Sequence, residues 1–460
     1  MLSEEILMDT LSRAVSGGAD YGEIYFESTS SFSAQYEDSR VEKLFSGIDS
    51  GLSIRIIRDY KTFFGYTNDL SLQGLKELAD AVKRSSEVDA SQTIKLQRLT
   101  PAVDLEVKIP PEKIPPEKKL TLLKEADRIS RSLDGRVKQV STVYRDVNKD
   151  VIIATTDGSF VEDHRVYTLA LIQVIAVQDG VIQTGYEPVG GFCGFEIFNE
   201  KPFEQVAEEA TKRALMMLSA RKAPGGRMPV VISSEAGGTM IHEAIGHGLE
   251  ADLAGQGLSV YTDKLGTRVA SDLVTVIDDA TLPGKRGSFR FDDEGVPAQK
   301  TVLVEKGILK NYLCDRLNAM KLGITPTGNG RRESYRHRPI PRMTNTFIAP
   351  GSHDPKSIVR SVEKGLFVKK MGGGQVNTVN GDFVFEVQEG YLIEKGEVSE
   401  PVRGATLTGN GPQVLMAIDM VGTDLGFAIG TCGKDAQGVP VSDAMPTVRI
   451  PEMVVGGSIE

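Results

Sequence analysis

Ile241-His242-Glu243-Ala244-Ile245-Gly246-His247-Gly248-Leu249-Glu250 holds two of the chain's five histidines, with a carboxylate beside the first. A short helix carrying two histidines and a glutamate is how many metallohydrolases hold zinc and activate water. The spacing here is H-E-x-x-x-H, one residue longer than the H-E-x-x-H that sets two imidazoles one turn apart. On a regular helix, residues five apart point roughly 140° away from each other. Both imidazoles reach one ion only where the helix deforms or ends between them. Gly246, directly before His247, permits that through a wide turn or a helix stop.

Working outward, residues 228–233 read as a strand feeding this helix, and Ala223-Pro224-Gly225-Gly226 marks a domain boundary. Beyond Asp252 the chain turns rich in glycine and short alternating runs. Strands are predicted at 273–277, 300–305, 382–388, 391–395 and 413–421, and helices at 314–321 and 355–362. Residues 223–460 therefore form a mainly-β domain, sandwich or barrel, that carries the histidine helix. Residues 1–222 have another rhythm. Helices are predicted at 4–15, 71–85, 116–132 and 203–218 from their apolar spacing. Between them lie strands at 21–27, short runs over 31–66 broken at Asp38-Ser39, Gly47 and Asp59-Tyr60, and strands at 137–145, 150–155, 159–177 and 181–189. Helix–meander–helix thus occurs twice, in 1–86 and 116–221, which predicts an internal duplication. The proline-dense tandem at 109–118 between them predicts an extended spacer. The fold class is α+β: an N-terminal α/β domain of antiparallel meanders flanked by helices, then the β-rich domain.

The 460 residues suffice for two domains, and 40% apolar with 25% charged residues is ordinary for a globular protein. A formal net charge of −10 argues against direct binding of nucleic acid or an anionic membrane. The acidic N-terminus has no secretion-signal pattern, and no apolar run approaches the roughly 18 residues that span a bilayer. Three widely separated cysteines, Cys193, Cys314 and Cys432, suit a reducing compartment. Together these features predict a cytoplasmic protein.

Two histidines leave a hydrolytic zinc site one protein ligand short. Candidates for the third are Cys432, Glu250, His337, Cys314 and the acidic groups Asp278-Asp279 and Asp292-Asp293-Glu294. Cys432 stands between glycines, in Gly430-Thr431-Cys432-Gly433-Lys434, where backbone can approach closely; a small buried hydrophobe is the competing role. Glu250 fits three roles: ligand, outer carboxylate holding an imidazole, or solvated helix residue, with the latter two preferred. The segment 327–338 concentrates donors among glycines. It suits either a substrate loop, whose Tyr335, His337 or Arg331 steadies an oxyanion, or a basic surface loop paired with the protein's own acids.

His242 to Asp252 resembles the signature of the TldD/PmbA metalloproteases, the modulator-of-DNA-gyrase family. Thr327-Gly328-Asn329-Gly330-Arg331, Pro341-Arg342-Met343-Thr344-Asn345-Thr346 and Thr431-Cys432-Gly433-Lys434 with Gln437-Gly438 agree in the same order. The retained H-E-x-x-x-H resembles the metal-bearing, TldD-like branch. The resemblance implies His242, His247 and Cys432 as zinc ligands and Glu243 as general base. It also implies a zinc peptidase acting on unfolded or extended peptides, assembled as a homodimer or as a heterodimer with a metal-free sister. A non-catalytic scaffold or regulatory subunit with a structural metal is the alternative; such a site has four protein ligands and no water.

Overall fold

A computed structural model describes residues 2–86 and 94–458. The fold is α+β, with an α/β N-terminal half and a β-rich C-terminal half. In the first half, helix Glu4–Val15 is capped by the Ser3 side chain, which accepts from the Ile6 amide. Strands Tyr21–Glu37, Arg40–Arg58 and Lys61–Thr67 then run antiparallel, followed by helix Leu72–Ser86. The order recurs as helix Pro116–Leu133, strands Val137–Thr155, Ser159–Gln178 and Val181–Gly191, and helix Phe203–Ser219. Tyr21–Glu37 pairs with Val137–Thr155, so both sets join one seven-stranded sheet. The expected turns at Asp38-Ser39 and Asp59-Tyr60 are present, all four residues at positive φ. Gly47, read as a break, lies inside a strand. Residues 146–149, left between two predicted strands, continue a single strand because Tyr21–Glu37 and Ser159–Gln178 pair along both its edges.

In the second half, five strands close on themselves. Lys364–Val376 pairs with Gly226–Ile232, which pairs with Val448–Gly456, then Thr406–Asn410, then Asp382–Glu394, which returns to Lys364–Val376. This ring is a small barrel filled by Val230, Ile232, Leu366, Val368, Phe385, Leu407, Val448 and Ile450. A second sheet of six strands runs Ile308–Leu309, Lys300–Glu305, Val276–Asp279, Asn345–Ile348, Gln437–Met445, Gly426–Lys434. Gly426–Lys434, which bears Cys432, is its outermost strand. The predicted strand 413–421 is instead helix Gly411–Ala417, with Asn410 at its N-cap position and Pro412 in its first turn, followed by a two-residue strand. No helix among the described residues is long and apolar enough to cross a membrane.

Buried ion pairs dock the halves. Arg55 meets Glu23 and Glu294, Arg332 meets Glu23, and Arg165 meets Asp293 at 2.6 Å. Arg213 of helix Phe203–Ser219 binds Glu389 of the barrel at 2.7 Å and Glu187 at 2.9 Å. Such pairs add little net stability, but losing one partner strands a buried charge.

Candidate metal centre

The histidine segment packs between the barrel and the six-stranded sheet. Met240, Ile241, Ala244, Ile245 and Leu249 are buried in the core there, and fully burying each larger one is worth about 1.5–3 kcal/mol. His242, Glu243 and His247 are left to face a cleft. The backbone changes pitch along the way: an α turn at Thr239–Ile241, a π turn at His242–Gly246, and a 3-10 turn at His247–Leu249. The His247 amide donates to the His242 carbonyl, an i→i+5 bond. That bond turns residues five apart to one side and removes the spacing problem. Gly246 has an ordinary right-handed conformation, φ −55 and ψ −57. Its hinge role is therefore corrected: any residue could adopt this backbone. A Cβ at Gly246 would lie 2.1 Å from Met343 Sδ, so it is Met343 that demands a glycine. The π turn frees the Ala244 carbonyl, and the buried Tyr261 hydroxyl donates to it at 2.8 Å.

Cys432 reaches the same point from the sheet edge. Its Sγ lies 3.3 Å from His242 Nε2 and 3.4 Å from His247 Nε2. The three donor atoms lie within 4.8 Å of one another, and among the described residues no other such ligand group occurs. With Zn–N near 2.0–2.1 Å and Zn–S near 2.3 Å, tetrahedral ligands sit about 3.3–3.6 Å apart, so this donor set fits zinc. Thiolate and imidazole also suit that metal better than magnesium or calcium. Burial pushes the Cys432 thiol up, but hydrogen bonds and charge from His242 and His247 outweigh it and bring it down to about 5.

The imidazoles have different supports. His247 Nδ1 lies 3.0 Å from Glu250 Oε2, and Lys434 Nζ lies 3.0 Å from the same oxygen. Burial alone would raise the Glu250 carboxyl, but His247 and Lys434 bring it down to about 2. Glu250 thus stands outside the donor group, bonded to His247 from behind, where an outer carboxylate would hold the imidazole. Among the described residues the buried His242 Nδ1 has no hydrogen-bond partner, and Asp443 Oδ2 stands 3.8 Å away. Arg342 ties the two halves of the centre together. It donates to the carbonyls of Cys432 and Gln437, and its Nε stands 4.0 Å from Glu250 Oε1. Glu243 is half-buried in the same cleft, and burial raises its carboxyl against the opposing charges of the two histidines.

The cleft holds about 680 Å³. Gly430–Asp435 lines one wall and Gly373–Val376 of the barrel another. Thr239, Gly373, Ala428 and Ile429 also border a second chamber of about 910 Å³ that reaches the N-terminal half.

The other sequence candidates lie elsewhere. Among the described residues lining the cleft, Tyr335, His337 and Arg331 are absent. Tyr335 packs on Gly51 and donates to Asp49, and His337 Nδ1 bonds the Ser334 hydroxyl. Arg331 donates to the carbonyls of Met343 and Pro440. An oxyanion role does not fit these positions. Arg332 pairs with Glu23 in a buried contact between the halves and Arg336 with Asp49 in an exposed one, so the loop joins the protein's own acids. Asp278 accepts from Thr344, Thr346 and Asn329; Asp292 accepts backbone amides, and Cys314 is buried. Arg342 and Asp443 were not singled out in the sequence as working residues. Arg342 sits in a quoted motif, but the fold alone brings it to Cys432.

Comparison with known proteins agrees along the whole chain. Family models for the PmbA/TldA metallopeptidase match residues 22–88 (domain 1), 109–218 (central domain) and 225–457 (C-terminal domain). A metalloprotease TldD homolog of Haemophilus influenzae is 38% identical over 99% of this chain and 97% of its own. A zinc metalloprotease TldD homolog of Saccharolobus solfataricus is 28% identical over 98% of this chain and 99% of its own. The fold is shared with a Thermotoga maritima structure titled as a DNA gyrase modulator, at TM-score 0.78, 23% identity and coverage of 95% and 96%. It is shared also with TldE of Thermococcus kodakarensis, at TM-score 0.74, 17% identity and coverage of 95% and 97%. With three family models and a relative 38% identical over nearly all of its residues, the chain belongs to the PmbA/TldD metallopeptidase family.

Proposed function

We propose that this metallopeptidase is zinc-dependent and hydrolyses unfolded or extended peptides, with His242, His247 and Cys432 as ligands and Glu243 as general base. The observation that carries this is the convergence of three donors, rather than four, among the described residues, beside a carboxylate in an open cleft. Three protein ligands leave a coordination position for water, whereas a structural site closes with four. Bound there, zinc supplies a water of pKa about 7 and polarises a carbonyl. Glu243, facing the same cleft, would accept the proton of the attacking water and return it to the leaving amine. Its burial-raised carboxyl suits a group that must both accept and return a proton.

The extended form of the substrate is supported by the walls. Among the described residues Gly426–Lys434 pairs with one strand only, and so does the barrel strand Lys364–Val376 beyond Val368. An extended peptide can add a strand to such an edge, presenting its carbonyls in order to a fixed metal. The adjoining 910 Å³ chamber gives the chain room to continue. Folded proteins do not offer a free strand, so selection falls on lack of fold.

A dimer, with a second copy or a metal-free sister, belongs to the same proposal. The tip of the hairpin Tyr21–Glu37/Arg40–Arg58 exposes Val41, Leu44, Phe45 and Ile48, and apolar clusters of this kind mark contact surfaces. Ile48→Asp is expected to sediment as a monomer where the native chain sediments as a dimer; an unchanged mass removes this surface from the contact.

Cleavage of casein with and without chelator tests the chemistry. The native protein is expected to cleave it, to stop when zinc is stripped, and to recover when zinc is returned. Glu243→Gln is expected to keep zinc and lose about 10²–10⁴-fold in rate. Retained cleavage in that variant would remove Glu243 as the base, and chelator-insensitive cleavage would remove the metal.

A further inference from the structure

We propose that Asp443 is the positioning residue that orients His242, as Glu250 orients His247. This rests on the zinc site proposed above. An imidazole that gives Nε2 to a metal keeps its proton on Nδ1, and that N–H needs an acceptor that fixes the ring. His247 has one, Glu250 Oε2, at 3.0 Å. Among the described residues the buried His242 Nδ1 has no hydrogen-bond partner, and the carboxylate facing it is Asp443, whose Oδ2 is 3.8 Å away. Closing to hydrogen-bond length needs a movement of about 1 Å. The other oxygen, Oδ1, accepts the Gly238 amide at 3.2 Å, and the Gly238 carbonyl accepts the His242 amide at 2.9 Å. Asp443 is therefore held against the very turn that carries His242, with one oxygen free to serve it. It stands on Gln437–Met445, the strand that pairs residue by residue with the Cys432 strand. One hairpin thus delivers both a ligand and the group that aims another ligand. Asp443 also lines the cleft, but its contacts run to the histidine turn and the Gly238 loop, so its role is positional rather than catalytic.

The test is zinc affinity by competition with a chromophoric chelator, for the full-length native protein, Asp443→Asn and Asp443→Ala, with melting of each zinc-free protein alongside. Asn keeps the shape but has one acceptor oxygen for two donors. Asp443→Asn is expected to bind zinc about 10–100-fold more weakly, to melt with the native zinc-free protein, and to shift the visible spectrum of the cobalt-loaded form. Asp443→Ala is expected to lose at least as much affinity. Native affinity in Asp443→Asn overturns the proposal, as does a loss of affinity matched by an equal loss of zinc-free stability, which marks a purely structural role at Gly238. If the native protein itself binds no zinc, the zinc reading fails; native binding with an indifferent Asp443→Asn sinks only the inference about Asp443.

Discussion

Gly246 shows how one missing side chain shapes the centre. Its backbone angles are those of any helical residue, yet Met343 Sδ occupies the place its Cβ would take, 2.1 Å away. Met343 itself is buried in the core beside Ala244 and Leu249. Gly246→Ala must therefore displace Met343 or shift the turn, and overpacking of this kind costs about 1–3 kcal/mol. Zinc affinity is expected to fall with stability, because the displaced turn carries His247. Met343→Ala is expected to cost less in the Gly246→Ala background than in the native one, because the clash is gone, as read by calorimetry and chelator competition. Additive losses would show that the glycine serves something other than Met343. Cys432 makes the complementary point. Its local context left it evenly poised between ligand and buried hydrophobe, and only the fold puts its sulfur 3.3 and 3.4 Å from two imidazoles.

At the scale of the element, the π turn is the central device. It converts an H-E-x-x-x-H spacing into a single ligand face, at the cost of a carbonyl that leaves the helical ladder. The Tyr261 hydroxyl takes up that carbonyl from outside the segment. Tyr261→Phe leaves a buried acceptor unpaired, expected to cost about 1–3 kcal/mol in urea unfolding and to weaken zinc binding. An unchanged zinc affinity would mean that the turn holds its pitch without Tyr261. How much of this was legible in the sequence varies by element. Helices with a long apolar stripe, such as Glu4–Val15 and Phe203–Ser219, could be read almost to the residue. The deformation between the two histidines was readable from their spacing, but its cause was not, because Met343 lies far along the chain. The helix Gly411–Ala417 was misread as a strand: its seven residues are too few to display a helical period, while Pro412 pointed the other way. The strands Lys364–Val376 and Gly426–Lys434 escaped because their glycines blur alternation, and Gln437–Met445 because Pro440 reads against a strand interior; these strands build the walls of the cleft.

At the scale of the molecule, the centre is complete only when distant pieces of chain meet. The histidine turn, Arg342 and the Cys432 hairpin are one assembly, and the 327–338 loop props that hairpin while gripping the N-terminal sheet. Glu333 accepts the Gly438 amide, and Arg332 beside it reaches Glu23. Acid is expected to loosen this domain contact. Burial would raise the Glu187 carboxyl, but Lys370 and Arg213 hold it below its usual value. A carboxyl whose folded pKa is depressed contributes stability above its unfolded pKa of about 4.3, and loses it as pH falls through the lower folded value. The melting temperature of the native protein is therefore expected to drop faster than that of Glu187→Gln as pH falls between those two values; parallel curves there would remove Glu187 from the acid response. The central claim is narrower: one zinc held by two histidines from one turn and one cysteine from a strand far away in sequence. Zinc-edge X-ray absorption of the loaded protein tests it most directly. The expected shell is one sulfur near about 2.3 Å with three lighter atoms near about 2.0–2.1 Å, the sulfur vanishing in Cys432→Ser. A shell without sulfur in the native protein, or a sulfur that survives Cys432→Ser, would contradict it.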